Sequence, residues 1–144
     1  MKDTVELTIE SKYEFIELVS SLTKNVTDMA GFDDDASNWI ELSVRESVIN
    51  AIKHGNRLAA DRPVDVKFTL EPGSLTVYVR DRGEGFDPTQ LPDPLDPENL
   101  LNPNGRGIFY MRTFMDEVEY SHHPQGGTVV RMIKRRPGSE EKGE

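Results

Sequence analysis

Four clusters along the chain have residue types and spacings suited to chemistry. The first is VYVRDRGEGFDP (77–88), where Asp81 ends an alternating apolar run and Gly83 and Gly85 follow. A carboxylate at a strand end can accept a hydrogen bond from an amino group such as that of adenine. Glycines permit backbone conformations closed to other residues and let a flat ligand come close. The same residues also suit a plain turn. The second cluster is Glu46 and Asn50, four apart and therefore on one face of a helix. Asn offers a neutral oxygen to a hard cation such as Mg²⁺, and Glu can hold a metal-bound water or accept a hydroxyl proton. Lys53 and Arg57 extend this stripe toward where a phosphate would lie; an ordinary solvated helix face is the alternative. The third is NGRGIF (104–109), where Gly105 and Gly107 flank Arg106 just before a helix. Backbone N–H groups at a helix start bind anions, and Arg106 can reach a terminal phosphate; a flexible helix start reads equally well. The fourth is GGTVV (126–130), in which Thr128 opens a strand and comes near Asp81 if the two strands are neighbours. Its alternative is a hairpin turn leading into a β-branched residue.

The elements that must position these clusters follow from periodicity. Val5, Leu7 and Ile9 alternate with polar residues and predict a half-buried strand. Ser11 and Glu14 have capping-box spacing, so a helix is expected with Phe15, Ile16, Val19, Leu22 and Val26 on one face and Gly31 at its end. A second helix spans DDDASNWIELSVRESVINAIKHGN, its opening acids favoured by the helix dipole and Gly55-Asn56 its stop. Ile40, Val44, Val48, Ala51 and Ile52 form its core face, opposite the Glu46 stripe. Val64, Val66, Phe68 and Leu70 alternate after Pro63, Pro72-Gly73 turns the chain, and SLTVYVRD returns as a hairpin. Residues 87–104 form a long, proline-rich loop, of a length usually functional or disordered in a compact domain. GRGIFYMRTFMD then predicts a helix, EVEYSHH and GTVVRMIKR predict two strands, and the tail from 137 is expected to be disordered. Hairpin-joined strands with grouped helices argue for an α/β two-layer sandwich, with a mixed, mostly antiparallel sheet of about five strands against the helices. Residues 1–136 are read as one domain.

The bulk composition narrows the function classes. At 144 residues the chain suits a single domain that buries roughly 70% of its unfolded surface. A net charge of −9 argues against nucleic-acid binding through a basic surface, and a polyanionic ligand would need concentrated local cations or a metal ion. The absence of cysteine excludes disulfides and thiolate metal sites and fits a reducing compartment. No apolar run suits a signal peptide or a membrane span, which points to the cytoplasm. His122 and His123 are adjacent on a strand and point to opposite faces, which disfavours a metal pair. His54 reads as a helix-end or pocket residue and Trp39 as core or interface.

Taken together, in this order and on these elements, the four clusters resemble the GHKL superfamily of ATPases and kinases. ESVINAIKHGN (46–56) looks like its N box, DRGEGFD (81–87) and GRGI (105–108) like its two glycine boxes, and Thr128 like its terminal Thr; the resemblance covers roughly residues 5–134. Within the superfamily the chain is most similar to the anti-sigma factor serine/threonine kinases of bacterial partner-switching systems. Its length, NAIKHGN and GRGIFYMRTFMDEV favour them, and no helical hairpin with a phosphoacceptor histidine is expected. The resemblance implies the Bergerat fold, with ATP and Mg²⁺ as ligands. Asp81 would accept from the adenine amino group with Thr128 in support, Asn50 would bind Mg²⁺, and Glu46 would act as general base toward a substrate serine. Gly83, Gly85, Gly105 and Gly107 would shape the pocket and its lid, the loop 87–104. Arg106 would contact the γ-phosphate, and Lys53 would lie on the phosphate side. The implied partners are a sigma factor, a small anti-sigma-factor antagonist and a second copy of the chain, with no nucleic acid and no membrane.

Overall fold

A computed structural model describes residues 2–83 and 114–137. Strand β1 (Asp3–Ile9) leads through a single 3-10 turn (Tyr13–Phe15) into helix α1 (Ile16–Met29), followed by α2 (Asp34–Asn50) and one π turn (Ala51–Gly55). Strands β2 (Val64–Glu71), β3 (Ser74–Arg80), β4 (Glu117–His122) and β5 (Thr128–Arg135) complete the described chain. Gly85, the loop 87–104, Gly105, Arg106, Gly107 and nearly all of the helix expected after them lie outside the described residues, as does the tail from 138.

The five strands form one sheet in the order β1-β2-β3-β5-β4. All four pairings are antiparallel, so the mixed character expected of the sheet is not seen among the described residues. The register aligns side chains in rows. Val5, Phe68, Val77, Met132 and Val118 form one row, and Leu7, Val66, Val79, Val130 and Tyr120 the next. Both rows belong to the core, which the helices cover. Ile40, Val44, Val48 and Ile52 are fully buried, as the 3.6-residue periodicity of α2 requires. Ile16, Val19 and Val26 of α1 are buried with them, and Phe15 and Leu22 pack at the core's edge. Among the described residues no helix is long and apolar enough to cross a membrane.

Two helix ends follow the sequence reading and one departs from it. Asp33 caps α2 by accepting from the Ala36 N–H at 2.8 Å, with Asp34 and Asp35 in the first turn. The end of α1 at Gly31 is a Schellman motif: Phe32 N donates to Thr27 O, and Gly31 N to Asp28 O, both at 3.1 Å. The capping box expected from Ser11 and Glu14 does not form. The Ser11 hydroxyl donates to Arg62 O at 2.6 Å instead, and no side chain caps the start of α1. A distant backbone carbonyl has taken the hydroxyl that local spacing assigned to the helix.

Candidate functional site

The site grows out of the shared end of β3 and β5. Because Arg80 is paired with Val129, the next pair along the ladder is Asp81 with Thr128. Asp81 N donates to Thr128 O at 3.1 Å, and Thr128 N donates back to the Asp81 carboxylate at 3.2 Å. Gly83 N donates to the same oxygen, Oδ1, at 2.9 Å. Both backbone donors go to Oδ1, and no hydrogen bond to Oδ2 is made among the described residues. Asp81 is 1% exposed. Burial pushes its carboxyl above the usual range, against the Gly83 and Thr128 hydrogen bonds and the nearby Arg80 and Arg82 charges.

Three glycines make the close approach around Asp81 possible. A Cβ on Gly55 would stand 2.3 Å from Asp81 Cγ and Oδ2. One on Gly83 would stand 1.7 Å from Gly55 O, and one on Gly127 2.0 Å from Asp81 O. Gly127 also has φ +95, which an L side chain rarely adopts. The glycines thus let the backbone at Gly55, Gly83 and Gly127 close directly on Asp81, where any side chain would collide with it or with its neighbours.

Gly55 connects this packing to the second cluster. It ends the π turn that continues α2, and π turns recur at functional sites. Asn50 is the last residue of α2 and is 4% exposed, and its amide makes no hydrogen bond to another described residue. Glu46, one turn earlier, is half-buried, and burial raises its pKa against the opposing charge of Arg45. Lys53 is half-buried within the π turn. His54 beside it has its pKa pulled down by burial and by Lys53. The stripe stops there. Arg57 is exposed with φ +53: it lies past the last helical residue, Gly55, and so leaves the Glu46 face. Among the described residues no three His, Cys, Asp or Glu cluster as a metal site. Mg²⁺ does not require one, since it is commonly held by one or two protein oxygens together with water and substrate phosphates.

Asp81, Gly83 and Thr128 are thus brought into direct contact, and Glu46, Asn50 and Lys53 lie on the helix that runs into them. Gly85, Gly105, Arg106 and Gly107 lie outside the described residues. Sequence reasoning missed the close packing of Gly55 and Gly127 on Asp81 and the hydrogen bond that the buried Asn56 accepts from Arg82 N. The two glycines had a signal, since they lie in segments already singled out. Trp39 is stacked on Phe114, with centroids 3.7 Å apart and planes 9° from parallel.

The chain is thus a two-layer α/β domain with a buried strand-end carboxylate closed in by glycines, beside a helix carrying Glu46 and Asn50. The chain belongs to the histidine kinase-like ATPase domain family, whose model matches residues 9–134. It is similar to serine-protein kinase RsbW of Bacillus subtilis (strain 168), 27% identical over 92% of this chain and 85% of that protein. RsbW of Bacillus velezensis is 28% identical over the same shares. RsbW of Listeria monocytogenes (strain EGD-e) is 26% identical over 90% of this chain and 86% of that one. In fold it resembles the crystal structure of the RsbU and RsbW domains of Rv1364c from Mycobacterium tuberculosis, with a TM-score of 0.67 and 18% identity. The match covers 92% of this chain and 32% of that longer one.

Proposed function

We propose that the chain is an ATP-dependent serine/threonine protein kinase and anti-sigma factor. It phosphorylates a small antagonist protein and, when the antagonist is modified, holds a sigma factor. Residues 1–136 act as one kinase domain, in a homodimer, in the cytoplasm. The observation that carries the reading is the Asp81 carboxylate, buried, held among the described residues through Oδ1, and closed in by glycines whose Cβ atoms would collide with it or its neighbours. The kinase names of relatives aligned over most of the chain support it.

Asp81 Oδ2 accepts from the adenine amino group, with Thr128 beside it. Gly83 and Gly85 admit the base, Gly105 and Gly107 shape the lid, and Lys53 and Arg106 face the phosphates. Asn50 is the protein ligand for Mg²⁺, which when bound neutralises phosphate charge. Glu46 takes the proton from a substrate hydroxyl as its oxygen attacks the γ-phosphorus and ADP leaves. Such transfer depends mainly on positioning and charge neutralisation, which suits a site of few but fixed groups.

The test is affinity capture with immobilised protein in Mg-ATP and Mg-ADP, followed by mass spectrometry. A sigma factor retained with ATP and a small protein that gains acid-stable phosphoserine or phosphothreonine are expected. Nucleotide-dependent partners without phosphorylation would make this an ATP-gated binding module. Acid-labile phosphohistidine would make it a histidine-kinase-like catalytic domain.

Gly55→Ala gives a sharper prediction. Its methyl enters the space of the Asp81 carboxylate, 2.3 Å from Cγ, and overpacking of this kind costs about 1–3 kcal/mol. ADP affinity by calorimetry is expected to fall at least roughly tenfold while circular dichroism stays native. Unchanged affinity would show that Asp81 does not set the nucleotide pocket.

A further inference from the structure

We propose that Asn56 is the positioning residue that aims the Asp81 carboxylate and so sets selectivity for adenine over guanine, an inference that rests on the nucleotide reading above. Asn56 is fully buried at 0% exposure. Its Oδ1 accepts from Arg82 N at 2.6 Å. Its Nδ2 donates to Ser11 Oγ at 2.8 Å, Arg62 O at 2.9 Å and Pro63 O at 3.1 Å. One side chain therefore joins the end of the π turn to the segment after β1, the approach to β2 and the residue following Asp81.

The Arg82 contact gives Asn56 its functional reach. Arg82 lies between Asp81 and Gly83, so holding its N–H fixes the turn through which Gly83 N returns to Asp81 Oδ1. The same junction brings Gly83 against Gly55 O. An amide is suited to this place because it offers an acceptor to Arg82 and two N–H donors shared among three oxygens. A carboxylate would set oxygen against oxygen. Adenine presents an amino donor where guanine presents a carbonyl oxygen. A carboxylate held in one orientation distinguishes them, and one free to turn away does so less well.

The experiment is calorimetric titration of Mg-ADP and Mg-GDP into the wild type, Asn56→Ala, Arg82→Ala and Ser11→Ala, with thermal melts alongside. Asn56→Ala is expected to lose roughly tenfold or more in ADP affinity and to show a smaller ADP:GDP preference. Ser11→Ala removes one Nδ2 partner but leaves the Arg82 contact. It is expected to melt lower with ADP affinity and preference unchanged. Arg82→Ala keeps the N–H that bonds Asn56 but loses the ion pair to Asp65 and the charge that favours ionised Asp81, so it is expected to lose less ADP affinity than Asn56→Ala and to keep the ADP:GDP preference. A folded Asn56→Ala with native affinity and preference overturns the proposal. If Asn56→Ala does not fold, Arg82→Pro, which deletes the N–H that Asn56 accepts, must show the same loss, and retained preference there overturns it. A wild type that binds neither nucleotide overturns the nucleotide reading itself, a failure seen before any variant is compared.

Discussion

Asp81→Asn is expected to remove nucleotide binding while leaving the fold at least as stable at neutral pH. The amide keeps an oxygen where Oδ1 accepts from Gly83 N and Thr128 N, so the end of β3 stays tied to β5. Its nitrogen then occupies the Oδ2 position and turns a donor toward the adenine amino group. Losing a hydrogen bond to a charged acceptor costs about 1.5–3 kcal/mol, a fall of roughly ten- to 150-fold in affinity, and opposed donors add to it. Stability moves the other way. Burial holds the folded Asp81 pKa above its ordinary value, so the folded state favours the protonated acid. Ionisation destabilises the fold as pH rises from the ordinary to the raised pKa, and the full cost is present above it. The Asn variant is free of that cost. Its melting temperature should match or exceed the wild type's at neutral pH, with the advantage vanishing below the ordinary carboxylate range. Calorimetric ADP titration and melts across pH separate the two effects. A variant that binds ADP as the wild type does would sink the role given to Asp81, and one that loses binding and melts much lower would make Asp81 a structural residue.

What was legible in the sequence was whatever depends on short periods. Two-residue alternation located β1, β2 and β3. Reading Asp81 at the end of one strand and Thr128 at the start of another was enough to foresee their juxtaposition once the strands were neighbours. The 3.6-residue period found the core face of α2 through Ile40, Val44 and Val48, and with it Glu46 and Asn50. What was not legible depends on segments that converge from far apart. Asn56 reaches Ser11 across 45 residues and Arg82 across 26, so near Gly55 it read only as a helix stop. Ser11 looked like a cap for the same reason. The π turn left no periodic trace, and the stripe was carried on to Arg57, which lies past the last helical residue, Gly55.

The second large effect is expected at Glu46. Glu46→Gln should lower the rate of serine phosphorylation at saturating ATP by roughly 10²–10⁴-fold, the usual contribution of a positioned general base, with ADP affinity essentially unchanged. The side chain is half-buried, and burial raises its pKa. An acid whose ionised form is disfavoured binds a proton more readily, which is what a base near neutral pH requires. The sign is definite: the carboxylate is the active form, so the rate should fall as pH drops through the raised Glu46 pKa. That acid limb should lie above the ordinary carboxylate range and disappear in the Gln variant. The linkage also separates catalysis from architecture. Ionised Glu46 costs the fold stability above its raised pKa, so Gln should leave the neutral-pH melting temperature equal or higher. Rate, pH profile and melting temperature together decide the matter. A loss of rate with a matching loss of stability would make Glu46 a structural residue, whereas a loss of rate with stability kept means that the acid is retained on α2 at the fold's expense for its chemistry.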